Sequence, residues 1–200
     1  MKKRVFKFHN NKKKLLIGLI ISGIIFIIVG VLLIALLSKS NKEILKDYMD
    51  SFFSLVKSGK FNYRGSIKTV LLTNLISVFV IWILGVSLIG IPVILIYFSI
   101  KAMTIGMSLS SIIYLYKLKG IFISIIYIIP SIINFGIFLI LSYNSIKMSK
   151  YLYRVLFLKE RNNKLVINRY INVLLILTIF IIISSIVEVF IIPSILRLFI

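Results

Sequence analysis

Two ionisable residues, Lys101 and Glu188, stand inside long apolar runs that otherwise carry almost no charge. A charged side chain at the centre of a bilayer costs roughly 3 kcal/mol even on insertion scales, so each is a candidate for function. One reading is a path for a proton or ion. The other is a structural pair, or two side chains that each reach for a nearby surface. One lysine and one glutamate make a thin relay. The chain is otherwise poor in reactive groups. It has no cysteine, and its one histidine, His9, lies in a basic tail. Cys–His and Ser–His mechanisms therefore have no base. The apolar runs contain no aspartate, so an intramembrane aspartate pair is absent, and neither a Walker loop nor an HExxH motif occurs. The few acids have no metal-ligand spacing. The expectation is a protein that is not an enzyme and has no catalytic residues, no cofactor and no metal.

The elements that must position these residues follow from composition. Of 200 residues, 60% are hydrophobic and 15% charged. Soluble domains have about 25% charged residues. With a mean hydropathy of +1.10, the apolar residues need a bilayer as their solvent. The net charge of +20 comes from basic residues that lie mostly between the apolar runs, where anionic head groups would meet them. Membrane lipids are thus the expected partners, and nucleic acid is not.

The fold class expected is an all-α integral membrane protein, with about five transmembrane helices and a short outward amphipathic helix. Residues 1–14 form a basic cytoplasmic tail. Residues 15–38 are uncharged and too long for the apolar region of a cleaved signal peptide, so they read as a retained first span. Within it, Gly23 and Gly30 share a face; they admit a close partner helix or are simply tolerated. Residues 39–68 are the extracytoplasmic segment, opening with a Ser40–Glu43 capping box. Ile44, Leu45, Tyr48, Phe52, Leu55 and Val56 recur at helical spacing, and Gly59 ends the helix. That face either rests on the bundle and the interface or docks another protein. In the docking reading, Tyr48, Phe52, Phe53 and Leu55 are the contact residues.

Residues 69–146 hold three spans. The uncharged run from Thr69 to Ile100 would be about 48 Å long as one helix, against roughly 30 Å of hydrocarbon. It must break, and Gly85, Gly90 and Pro92 supply the break. Two spans result, about 69–89 and 91–116. A re-entrant hairpin in their place would leave the sides unchanged. In the second of them, Ala102, Gly106 and Ser110 form a small-residue packing stripe. The next span, 120–146, contains Asn134 and is expected to kink at Pro130. Residues 147–169 read as a basic cytoplasmic loop, and 170–200 hold the last span, with Glu188 and Pro193. The basic tail and basic loop lie on one side in a five-span chain, and that side is the cytoplasm.

One stretch resembles a known family. An outward amphipathic segment with the Phe52-Phe53 pair is followed by Gly85-x-Ser87-x-Ile89-Gly90-Ile91-Pro92, then by the lone Lys101 of the next helix. This pattern, with the lone N-terminal span and the Lys119-Gly120 start of span four, is similar to stage II sporulation protein M of endospore-forming bacteria. The chain departs from the family in having Ala102 after the lysine, and Pro130-Ser131-Ile132 in span four. The resemblance implies a membrane scaffold that recruits peptidoglycan-degrading partners, stage II sporulation proteins D and P. It places the chain in the mother cell's septal membrane, where the complex thins the septal wall and drives engulfment. The rival reading is a membrane subunit of a small transporter or export permease, because a broken helix beside a buried lysine is also how a transport site is built.

Overall fold

The computed structural model describes residues 2–159 and 164–199, with side chains for 13–159 and 164–197. Among them the regular structure is all helical: α1 (Lys2–Leu36), α2 (Lys39–Lys57), α3 (Tyr63–Gly85), α4 (Gly90–Phe157), α5 (Lys164–Ile186), a π-helical turn (Val187–Ile191) and α6 (Ile192–Phe199). Four helical rods are long and apolar enough to cross a membrane: 13–36, 63–85, 90–157 and 164–197.

The longest rod is not straight. Lys117 has φ 51 and ψ −122, outside helical geometry, and the chain doubles back there. Phe98 meets Phe135 at 5.5 Å, and the Lys101 ammonium sits 5.3 Å from the Phe138 ring. A Cβ on Gly120 would overlap the carbonyl of Ile112. These contacts pair residues 90–116 with 118–157 as an antiparallel hairpin. Its bend lies at the Lys117–Gly120 polar island, where residues 117–119 are exposed.

Several boundaries differ from expectation. Ser38, not Ser40, caps α2: its side chain accepts from the Asn41 amide at 3.4 Å. Starting the helix two residues earlier leaves Lys42 free to reach back and donate to the Ala35 carbonyl at 3.0 Å, satisfying an open end of α1. The polar 39–68 segment divides. Gly59, at φ +71, closes α2 with paired bonds from Gly59 to Val56 and from Lys60 to Leu55. Asn62 then caps α3 through the Gly65 amide at 3.0 Å. At the far end, α4 runs through Pro130 with helical backbone and continues to Phe157. Much of the expected 147–169 loop is thus helix, and residues 118–157 extend about 60 Å, twice the hydrocarbon thickness. Residues 160–163, and the side chain of His9, lie outside the described residues.

Two apolar clusters hold the bundle. One gathers Leu19, Val78, Ile81, Ile94, Phe98 and Ile181 with their neighbours. The other gathers Phe53, Val56, Ile112, Ile123, Ile192 and Leu196 beneath α2. Burial of each such side chain contributes about 1.5–3 kcal/mol where the alternative is water; within lipid the gain comes from close packing instead.

Candidate functional site

Between the two clusters lies a polar layer. On α3, Asn74 stands one turn from Val78. On the first arm of α4, Lys101, Thr104 and Ser108 separate Phe98 from Ile112. On the second arm, Tyr127, Ser131 and Asn134 separate Ile123 from Ile137. On the last rod, Ser184, Ser185 and Glu188 separate Ile181 from Ile192. Spacings of three and four residues put each set on one helix face, and the fold brings the four faces to one level.

The layer is hydrogen-bonded. Ser184 donates to Asn134 Oδ1 at 2.7 Å, and the Asn134 amide donates to Glu188 Oε2 at 3.3 Å. Asn74 donates to Ser185 at 3.0 Å. Tyr127 lies close to both Ser108 and Glu188. Lys101 does not sit on the carboxylate. Its ammonium rests on the rings of Phe138, at 5.3 Å, and Tyr97, at 6.0 Å. Lys101 and Glu188 nevertheless line one cavity of about 120 Å³, with Asn134 and Tyr127. Glu188 is carried on the π-helical turn, five residues before Pro193. Proline offers no amide to the Val189 carbonyl, and Ile192 instead donates to Val187. Such wide turns recur at functional sites.

The small cavity shares Ser108, Tyr127 and Glu188 with a larger one of about 590 Å³. The larger cavity is roofed by α2 through Leu45, Met49, Phe52 and Phe53. The roof is fastened: Phe53 meets Tyr116 edge to face at 4.9 Å, and the Tyr116 hydroxyl donates to Asp50.

The family model for stage II sporulation protein M matches residues 17–193. The chain belongs to that family. It is accordingly a sporulation-related membrane protein, in keeping with its apolar helices. No curated protein and no solved structure matches it. The family match takes in residues 17–36 of the first helix, the roof, both arms of α4 and the polar layer.

The remaining singled-out residues fall in three places. The small-residue stripe and the α1 glycines meet each other. A Cβ on Gly106 would overlap the Ile27 carbonyl, and one on Gly30 the Met103 carbonyl. Ala102 is fully buried and Ser110 half-buried. The glycines of the break serve approach as much as termination. A Cβ on Gly85 would strike the Tyr170 hydroxyl, which bonds to Ser145 at 2.9 Å and to the Trp82 carbonyl at 2.7 Å. Gly90 abuts the Leu84 carbonyl, and Pro92 lies exposed in the first turn of α4. On α2 the four contact residues part company. Tyr48 is 76% exposed, Leu55 is exposed, Phe52 packs on Phe53 and Phe61, and Phe53 is only 8% exposed. Phe53 points into the bundle and offers no docking surface. A five-residue shift from Tyr48 turns a side chain by about 140° around a helix, which separates the two faces.

Proposed function

We propose that the chain is a non-catalytic scaffold of the endospore-forming cell. In this reading it crosses the mother cell's septal membrane five times, with its N-terminus in the cytoplasm and α2 outside. It recruits peptidoglycan-degrading partners, stage II sporulation proteins D and P, and holds them for engulfment. The carrying observation is the division of α2 into two faces. Phe53 and Val56 lock it to the bundle, while Ile44, Tyr48 and Leu55 remain exposed on the other side. A rigid helix presenting an exposed aromatic suits partner docking, because side chains held in place lose little entropy on binding. The hairpin at Lys117 supports the count of five, since each arm of α4 is long enough to cross. The basic N-terminus and the basic α4–α5 junction support the cytoplasmic side.

The test is Tyr48→Glu combined with Ile44→Glu. Both side chains are exposed, so protein level should stay within about 20% of wild type, as surface changes are near neutral. Co-purification of the hydrolase partner should fall at least tenfold, with spores arrested before engulfment. Full recruitment at normal level would move the contact away from α2. The transporter reading is favoured by one observation, the polar layer deep in the bundle beside a broken helix. Substrate flux in vesicles holding the purified chain, with no partner present, would prefer it.

A further inference from the structure

The polar layer lies level with the middle of the first apolar helix. Gly23 faces Phe98 and Gly30 faces Met103 and Met107, so Lys101 sits level with the centre of the uncharged 15–38 run. From that level the 590 Å³ cavity rises to α2. Its size is that of small-molecule sites, which run roughly 300–1,000 Å³. Its lining is apolar and aromatic apart from the polar atoms of Ser66, Ser108, Ser111, Tyr127 and Glu188. Among the described lining residues, Glu188 is the only charged one. Lys101 lines the smaller cavity alone, its ammonium engaged by aromatic rings. The charge-bearing group that the larger cavity offers is thus an acid.

We propose that this cavity binds a single-chain amphiphile with a cationic, primary-ammonium end. The ammonium meets the Glu188 carboxylate, helped by Tyr127 and Ser108, whose hydroxyls can accept its remaining hydrogens. The apolar chain fills the space between Met107, Val70, Ile192 and the α2 roof. Asn134 already donates to the Glu188 carboxylate, and from the larger cavity an ammonium would add the opposite charge that offsets a carboxylate's burial. The surroundings argue against a free metal cation. Glu188 is the only acid among the described lining residues, and no cluster of three or more acidic or histidine side chains gathers among the described residues, whereas a free cation is held by several such ligands. An amphiphile is delivered from the bilayer instead. The proposal stands apart from the scaffold reading.

The experiment uses the full chain in neutral detergent micelles, with dodecylammonium, dodecanol and dodecanoate as probes. At a hundredfold excess over Kd, dodecylammonium should raise the unfolding midpoint by roughly 5–10 °C. Dodecanol and dodecanoate should raise it by less than a third as much. Glu188→Gln should abolish the preference for the amine. A second variant, Val70→Trp, keeps the carboxylate but shortens the chamber, and should move the largest response from the dodecyl to the octyl amine. Equal responses to the three probes, a stronger response to dodecanoate, or an unchanged amine preference in Glu188→Gln would each overturn the proposal. So would an unchanged chain-length preference in Val70→Trp.

Discussion

Lys101 and Ala102 are neighbours in sequence and belong to opposite kinds of surface. About 100° apart on the helix, Gly106, one turn from the buried Ala102, presses onto α1 while Lys101 and Ser108 open onto a cavity. On the first face, small residues bring two backbones into contact, and little but close packing holds them. On the second, larger polar residues keep four helices apart and leave space. The difference shows what each kind of residue does in a bilayer. Small ones close an interface, and ionisable ones hold one open, because a charge is stable there only with room for its hydrogen-bond partners.

The contrast breaks most severely at the closed face. Gly106→Leu places a branched side chain where the Ile27 backbone lies, and α1 cannot yield without leaving the bundle. We expect loss of folded protein, seen as aggregation on size exclusion after detergent extraction. Gly18→Leu is the control, since nothing lies within 4 Å of its Cβ position, and it should leave the yield unchanged.

At the open face the effect is smaller and coupled. Lys101→Met and Glu188→Gln each leave the other charge with fewer compensating groups, and should each cost about 1–3 kcal/mol. The double variant should lose less than the sum, by at least 0.5 kcal/mol on the scale of typical coupling energies, although the two groups form no close bridge. Thermal unfolding of the four proteins measures it. Strict additivity would mean that the shared cavity does not connect them.

The smallest expected change is Ser184→Ala. It removes the hydroxyl that donates to Asn134 at 2.7 Å and so fixes the amide that faces Glu188. About 1 kcal/mol of stability should be lost, read from the unfolding midpoint. Ser194→Ala, whose exposed hydroxyl bonds only its own helix, should lie within about 0.5 kcal/mol of wild type.

Much of the architecture was legible because it depends on local chemistry. Uncharged runs longer than a bilayer is thick must be helices, and a 32-residue run must break where Gly85, Gly90 and Pro92 allow it. The α2 helix was equally legible, as was the turn at Gly59, because caps and apolar spacing act within a few residues. The cap at Ser38 was missed because two serines, Ser38 and Ser40, offer the same chemistry two residues apart, and only the reach of Lys42 to α1 distinguishes them. The α4 extension to Phe157 was missed because basic residues signal a membrane boundary, not the end of a helix.

The candidate site was legible only in parts. Sequence alone marked Lys101, Glu188 and Asn134 as polar groups in apolar runs, and the spacing of Tyr127, Ser131 and Asn134 places them on one face. It did not show that four such faces share a level, or that Glu188 and Lys101 enter one cavity without touching. That depends on where the hairpin turns at Lys117 and how closely Gly30 and Gly106 let α1 approach. The approach of Gly30 to Met103 joins residues 73 apart in the chain, and the bonds of Asn134 to Ser184 and Glu188 join residues 50 and 54 apart, so no local rule contains them. Sequence by itself determined where most of the helices lie, which runs are apolar enough for lipid and which residues are costly to bury there. Tertiary structure alone decided which face of α2 is covered, and that the space left beneath it ends on a carboxylate. The reason is physical: solvation and helix formation are settled residue by residue, whereas a cavity is what remains when whole helices have found their closest packing.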